Sequence, residues 1–367
     1  MRTNKLIILL SIAFMFSCTK EDMNVLSFNT EETTPNALNL EEAKILLNDF
    51  ISESFTKSND FEIKEHKIKT LHIDNNEYTN TLSSDAVPIY EFVTEMDGKE
   101  GYSVIVGDKR IEKVLVSVPY GSIEDTLYIE PLKMYFRDIP LMIKQDLKYY
   151  YQGKKDNGLQ TKMTTETIYR FTSTTWGQGY PYNIKCPNYS VAGCVAIAVS
   201  QILAYHEVPS NLNWNSILSN SVITSTSDPT VIDQVGSLIY EVGVKLNTNY
   251  GIIESSAPST YIPSTLSSYG LSCGGVIPFS IEDSKFSLQN AGPFIIGAQS
   301  ASGGHMWICD GWRRHIYDNS TYYDYLNMNW GWNGSSNGFY LVEDPIQFNV
   351  NGYLYNSGFV MVSNIKK

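Results

Sequence analysis

The feature that most constrains this chain is a cysteine at the start of an apolar segment. Cys194 follows a glycine in the stretch VAGCVAIAVSQILAYH, and apolar residues then recur at helical spacing as far as Tyr205. A thiol at a helix N-terminus faces the positive end of the helix dipole and unbonded backbone N–H groups, which favour the thiolate. The pattern therefore indicates either a nucleophile or a buried cysteine that serves as a small apolar residue.

A second segment favours the nucleophile. The stretch GGHMWICDG predicts a short strand entered through Gly303 and Gly304, with His305 at its head, 111 residues after the cysteine. A histidine can take the thiol proton and later protonate a leaving amine near neutral pH. His305 is therefore the candidate base, brought to the cysteine by the fold.

Two further segments supply the remaining parts of an acyl-transfer site. In NMNWGWNG, the aromatic wall of Trp330 and Trp332 and the amide of Asn329 can hold an imidazolium and exclude water. In TWGQGYPYN, Gln178 is flanked by glycines 16 residues before the cysteine. Its amide N–H and the backbone N–H of Cys194 would form an oxyanion hole. The order of these parts is that of papain-like acyl transfer.

These segments resemble the streptopain family of secreted bacterial cysteine proteases, peptidase family C10. The resemblance runs from about Thr174 to the C-terminus and, more weakly, over a propeptide before it. It implies four roles: nucleophile for Cys194, base for His305, oxyanion donor for Gln178 and packing on the histidine for Trp330. Papain orients its histidine with an asparagine, whereas this family has a tryptophan in that region. The resemblance thus leaves open whether Asn329 or Trp330 orients the imidazole.

The N-terminus has the layout of a secretory signal. Two basic residues in the first five precede a run of about eleven apolar or small residues that is too short to span a bilayer comfortably. Cys18 follows at a position that resembles a lipobox, which predicts acylation and a lipoprotein; the alternative is an incidental cysteine in a cleaved signal. The next residues, 19–22, resemble the surface-export tether of lipoproteins in the Bacteroides group. The expected location is the outer membrane or cell surface, with release of the catalytic domain after processing left open.

Composition limits the partners. The chain of 367 residues is 43% hydrophobic and has a net charge of −12, which favours a globular protein and argues against nucleic acid or an anionic membrane. No spacing of histidine and cysteine predicts a zinc site, and we expect no cofactor. The expected partners are protein or peptide substrates and the chain's own propeptide, with membrane contact only through a lipid at Cys18.

The chain divides into five predicted regions: a signal peptide at 1–17, a flexible tether at 18–38, an inhibitory propeptide at 39–153, an activation linker at 154–167 and a catalytic domain at 168–367. In the propeptide, we predict a helix from Asn39, three strands in a meander and a second helix; the last four run over Val87–Thr94, Gly101–Val106, Ile111–Val118 and Asp138–Tyr151. In the catalytic domain, the predicted strands are Phe294–Ala298, Met306–Asp310, Tyr323–Asn329 and Gly338–Val342. The fold class is α+β: a papain-like domain with a helical part and an antiparallel β part, after an α+β propeptide.

The sequence thus predicts a cysteine endopeptidase that is made as a zymogen and works through a thioester. The resemblance implies a preference for an apolar substrate residue just before the one that contributes the scissile carbonyl. We assign substrate contact to Gly303, Gly304 and Trp332. Two alternatives stay open. One is a papain-like cell-wall amidase or peptidase, and the other is an inactive binding protein on the same scaffold.

Overall fold

The structure is a computed structural model that describes residues 35–54, 61–74, 84–124, 130–151, 164–169, 171–300, 303–316, 322–342, 349–350, 353–354 and 359–367. The helices are α1 (Leu40–Ser54), α2 (Glu130–Tyr151), α3 (Cys194–Tyr205), α4 (Trp214–Ile217), α5 (Pro229–Lys245), α6 (Ile262–Ser268) and α7 (Ile281–Asn290). The strands are β1 (Phe61–Asp74), β2 (Ser84–Met96), β3 (Lys99–Val106), β4 (Lys113–Val118), β5 (Thr164–Tyr169), β6 (Ile277–Pro278), β7 (Phe294–Ser300), β8 (Gly303–Ile316), β9 (Tyr322–Asn329), β10 (Gly338–Val342), β11 (Asn349–Val350), β12 (Tyr353–Leu354) and β13 (Val360–Val362).

The first helix begins where the sequence predicts. The backbone N–H of Asn39 donates to the Glu42 carboxylate at 2.8 Å, and the Glu42 N–H donates to Asn39 Oδ1 at 3.0 Å. This reciprocal capping satisfies two N–H groups that a helix start otherwise leaves unbonded. One face of α1 is then buried, and its most buried side chains are Ala43, Leu47, Phe50 and Ile51.

The predicted meander is present and is extended by one strand. β2 and β3 are joined by a turn in which Asp97 and Gly98 both have positive φ, the backbone of a two-residue hairpin. β1 was not predicted; it pairs with β2 along its length, and most of its side chains are exposed or half-buried. The second helix begins at Glu130, eight residues before its predicted start, and runs on through Pro140.

The meander does not end in an open edge. β4 pairs antiparallel with β10, matching Ser117 with Phe339 and Val116 with Tyr340. In the described residues, one eleven-stranded sheet results, with the order β1-β2-β3-β4-β10-β9-β8-β7-β13-β6 and β5 paired to β8. The N-terminal unit (α1, β1 to β4 and α2) and the β part of the C-terminal domain (β5 to β10 and β13) therefore share a sheet and one hydrophobic core.

A second core surrounds α3. From Val195 to Ala204 every residue of this helix is buried, as its nearly unbroken apolar sequence requires. α3 packs on one side against β8 and on the other against α5, which begins at a Pro229 capped by Asp228. The domain thus has a helical part and an antiparallel part that meet at the N-terminus of α3. None of the described helices combines the length and the hydropathy needed to cross a membrane.

Candidate active site

Cys194 is the first residue of α3, and a glycine makes this placement possible. Gly193 caps the helix with φ +90° and ψ 138°, a conformation that an L side chain rarely adopts. A Cβ at Gly193 would also lie 3.2 Å from the carbonyl oxygen of Ser255. The Ser255 hydroxyl in turn donates to the Val191 carbonyl at 2.7 Å. The segment before the thiol is therefore held in one conformation by a neighbouring loop.

The surroundings of the thiol act on its pKa in opposite directions. Burial raises the pKa of Cys194, and this is the largest influence. The backbone N–H groups of Met306, Val195 and Cys194 itself favour the thiolate and lower the pKa, whereas the negative charge of Glu254 raises it. Since Met306 directly follows His305, the thiol lies at the strand end that carries the predicted base.

His305 is held by the backbone of the next predicted segment. Its Nε2 lies 2.9 Å from the Trp330 carbonyl oxygen. A carbonyl oxygen can only accept, so the neutral ring carries its proton on Nε2 and leaves Nδ1 as the basic nitrogen. The orientation of the imidazole is thus set by the main chain of Trp330.

Three tryptophans surround the imidazole. The ring of Trp332 is stacked on it with centroids 4.8 Å apart and planes at 22°. The rings of Trp307 and Trp330 are at 5.7 Å and 6.4 Å. This burial lowers the pKa of His305 to about 4, although the Trp330 carbonyl favours the protonated ring.

The thiol and the imidazole are not joined in this structure. Within the described part of the chain, no hydrogen bond connects Cys194 Sγ with either nitrogen of His305, although the thiol lies against the backbone of Met306. Burial shifts both groups towards their neutral forms.

Gln178 is fixed close to the Cys194 segment through its main chain. Its carbonyl oxygen accepts from the Ala192 N–H at 2.9 Å, two residues before Cys194. Its side-chain amide is partly exposed and has no hydrogen-bond partner among the described residues. The amide is therefore free to donate a hydrogen bond to a bound group.

Asn329 is bonded to other groups than the imidazole. Its Nδ2 donates to the Thr174 carbonyl at 2.8 Å and lies 3.2 Å from both Thr172 Oγ1 and Gln201 Oε1. Its Oδ1 accepts from the Gly331 N–H at 3.4 Å. Asn329 thus links the segment before Gln178 to α3, and the contact with His305 comes from the Trp330 main chain.

The residues predicted to contact substrate lie around His305. Gly303 and Gly304 pair with Ser300 and Gln299 of β7, and Gly304 is exposed. In the described residues β9 pairs with β8 only from Ile308 onwards, so the glycine end of β8 has a strand on one side alone. Trp332 is half-buried against the imidazole.

Sequence reasoning missed two polar residues that connect these segments. Gln201 is fully buried in α3, and its Oε1 accepts from the Trp176 N–H at 3.0 Å. Asp310 of β8 accepts from the Thr172 N–H and hydroxyl, each at 2.8 Å. An amide within a nearly apolar helix was a visible signal for Gln201, because a buried amide requires partners. Asp310 gives no comparable signal, because a polar residue is ordinary at the end of the predicted strand Met306–Asp310.

Known proteins are similar to this chain in sequence and in fold. The sequence model of the peptidase C10 family matches residues 176–212 and 210–340. Streptopain of Streptococcus pyogenes is 24% identical in a 302-residue alignment that covers 66% of this chain and 71% of streptopain. The thiol protease/hemagglutinin PrtT of Porphyromonas gingivalis is 23% identical over 206 residues, 45% of this chain and 23% of that protein. A solved fragment of prointerpain A from Prevotella intermedia, a cysteine-to-alanine mutant, has the same fold: the TM-score is 0.54 at 20% identity, over 81% of this chain and 99% of the fragment.

Proposed function

We propose that this chain, which belongs to the peptidase C10 family, is a cysteine endopeptidase that is made as a latent precursor. The observation that carries the proposal is the meeting of three segments at the N-terminus of α3. Cys194 begins the helix, and His305 has Nε2 bonded to a carbonyl, which leaves Nδ1 as the base. The Gln178 carbonyl accepts from the N–H of Ala192, two residues before Cys194.

The reaction follows from these roles. Nδ1 of His305 takes the thiol proton, and Cys194 Sγ attacks the carbonyl carbon of the scissile peptide bond. The oxyanion receives hydrogen bonds from the Gln178 amide and the Cys194 N–H. The imidazolium then protonates the departing amine, which leaves a thioester on Cys194. A water deprotonated by His305 hydrolyses the thioester and restores the thiol.

Latency is supported by contacts between the N-terminal unit and the turn that follows Trp330, the residue whose carbonyl accepts from His305. The Ser336 N–H donates to the Tyr120 carbonyl at 2.8 Å, and the Trp330 indole donates to the Ser336 carbonyl at 3.0 Å. Gly121 passes so close that an added Cβ would lie 2.7 Å from the Ser336 nitrogen. The N-terminal unit therefore packs against the turn that follows Trp330. Among the described residues it makes no hydrogen bond or ring contact with Cys194 or His305, and a cover over the cleft stays a prediction.

Activity and mechanism are tested with the full chain after cleavage in the linker predicted at 154–167, incubated with casein and separately with purified peptidoglycan. We expect hydrolysis of casein, covalent labelling of Cys194 by an epoxide inhibitor of papain-like enzymes, and loss of both in Cys194→Ala. Hydrolysis of peptidoglycan alone would support the amidase alternative. A wild-type protein that is neither labelled nor active on either material would support the binding protein.

Latency has its own test. Trace active enzyme is added to the Cys194→Ala precursor, and the N-termini of the products are sequenced; cleavage is expected within the linker predicted at 154–167. Full activity of the uncut precursor on a small peptide would contradict latency.

We also propose that the protein is exported and carries a lipid on Cys18. The proposal rests on the sequence of residues 1–22, which lie outside the described residues. Cells expressing the protein with a labelled fatty acid should yield a labelled precursor in the membrane fraction. The matched Cys18→Ala protein should be unlabelled, and equal labelling of the two would contradict the assignment.

A further inference from the structure

Gln201 is a fully buried amide in a helix whose other residues are almost all apolar. It lies seven residues after Cys194, two helical turns along the same face. Burying an amide is costly unless it is hydrogen bonded. Its Oε1 meets that requirement twice, by accepting from the Trp176 N–H at 3.0 Å and from Asn329 Nδ2 at 3.2 Å.

The two donors come from the other two parts of the site. Trp176 is two residues before Gln178, in the segment that carries the oxyanion amide. Asn329 directly precedes Trp330, whose carbonyl accepts from His305. Asn329 Nδ2 also donates to the Thr174 carbonyl at 2.8 Å, which joins these two segments to each other. The segments with the nucleophile, with the carbonyl partner of the imidazole and with the oxyanion donor therefore meet at the Gln201–Asn329 pair.

We infer that Gln201 and Asn329 are positioning residues for the oxyanion hole, an inference that rests on the function proposed above. Neither side chain is hydrogen bonded to the thiol or the imidazole within the described residues. Their effect passes through the backbone of Trp176 to Gln178. A misplacement of about 1 Å at a reacting group can cost about 100-fold in rate.

The bonding pattern gives a test that separates this role from packing. Only the oxygen of Gln201 is used, because Nε2 has no partner in the described part of the chain. Gln201→Met removes the acceptor at similar volume, and Asn329→Asp replaces the donor by an oxygen of the same shape. Ser200→Ala is the matched control, since Ser200 is the neighbouring residue of α3, is equally buried, and its hydroxyl has no partner.

Two inhibitors distinguish the oxyanion hole from the thiol in the mature enzyme. A peptide aldehyde forms a tetrahedral adduct that needs the hole, whereas iodoacetamide needs only the thiolate. For Gln201→Met and Asn329→Asp we expect kcat to fall about 10- to 100-fold with KM little changed, as a small displacement of the hole predicts. Aldehyde affinity should fall by a similar factor, and the rate and pH profile of alkylation should stay those of wild type.

Each other outcome overturns the inference. Gln201→Met behaving like Ser200→Ala would show that the acceptor is not needed. A shifted pH profile of alkylation in Asn329→Asp would indicate that Asn329 acts on the imidazole instead. Equal losses towards both inhibitors would indicate a general loss of structure; if Gln201→Met does not fold, Asn329→Asp carries the test alone. An inactive wild-type protein would instead contradict the proposed function.

Discussion

Arg313 and Phe50, 263 residues apart in sequence, are joined by a hydrogen bond of 2.9 Å from the guanidinium Nη1 to the Phe50 carbonyl oxygen. The guanidinium is fully buried, lies 5.0 Å from the Phe50 ring and 5.3 Å from the Phe339 ring, and donates to the Tyr169 hydroxyl at 3.0 Å. The charge of Arg313 on β8 is therefore satisfied in part by the N-terminal helix α1. Removing that helix would leave a buried charge without one of its acceptors, which is costly.

We expect the N-terminal unit to stay bound after the linker is cut. The Arg313 contact, the β4–β10 pairing and the shared core all act without the covalent connection. A protease site inserted between residues 152 and 163 of the Cys194→Ala precursor allows a clean cut. Size-exclusion chromatography at micromolar concentration and pH 7 should then show one peak with both fragments.

The same cut protein tests the role of the arginine. Arg313→Met should release the N-terminal fragment more readily, seen as two peaks at the same concentration. Arg314→Gln is the control, because Arg314 bonds to Asp324 and Glu282 within the C-terminal domain. Full separation of the wild-type fragments would show that the interface alone does not hold the unit.

Gln178→Ala should lower turnover of the mature enzyme by about 10²–10³-fold, the usual loss for one oxyanion donor. Gln178 is held by its main chain to Ala192, so the substitution leaves the loop anchored. Steady-state kcat on a peptide substrate gives the loss, and the rate of thiol alkylation checks that Cys194 is intact. Unchanged turnover would show that Gln178 does not donate to the oxyanion.

Trp332→Ala should raise the pKa of His305 in the precursor. Burial lowers that pKa to about 4, and Trp332 is the ring stacked closest to the imidazole. Opening this face to water favours the charged ring, so the pKa should move up towards the ordinary histidine value of about 6.5. NMR titration of the ring in the Cys194→Ala background measures it. The control is Trp312→Phe, because Trp312 lies on β8 like His305 but has no ring contact with it among the described residues. This change should leave the pKa of His305 near 4.

The stability of the precursor should fall as pH is lowered, in part through His315. This ring is buried between Phe50 and Tyr325, and burial together with the Arg313 charge lowers its pKa to about 3. Between pH 6.5 and about 3 the unfolded chain therefore binds a proton at this position that the folded chain does not. The free energy of unfolding then decreases by up to about 1.4 kcal/mol per pH unit for this group.

Denaturant unfolding at several pH values tests the contribution of His315. His315→Gln should show a shallower decrease than wild type over this window. Identical slopes in the two proteins would show that His315 does not titrate differently in the folded and unfolded states.

The segments with strong local signals were predicted well from sequence. β10 covers the residues expected, and the capping of Asn39 by Glu42 sets the start of α1. The start of α2 was predicted eight residues too late, and Pro140, a residue typical of a first helical turn, lies inside the helix. β1 was missed because an edge strand with exposed, charged side chains has little apolar alternation to detect.

Pairings between distant segments could not be predicted. Nothing local to Ser117 or Phe339 indicates that they face each other, so the joining of the two units into one sheet is visible only in three dimensions. The same holds for the direction of the Asn329 amide. Its sequence position beside Trp330 suggested the imidazole, while its bonds go to Thr174 and Gln201.

The strand order has a consequence for how the chain acquires its structure. β1 to β4 are successive antiparallel neighbours, so their contacts are local and can form while later residues are still emerging. The edge of β4 is then ready before β10 has been synthesised. We expect β10 to dock onto this existing edge, with the strands that complete the sheet following. The N-terminal unit would therefore act as a template for the peptidase domain, and a domain expressed without it should refold slowly and aggregate.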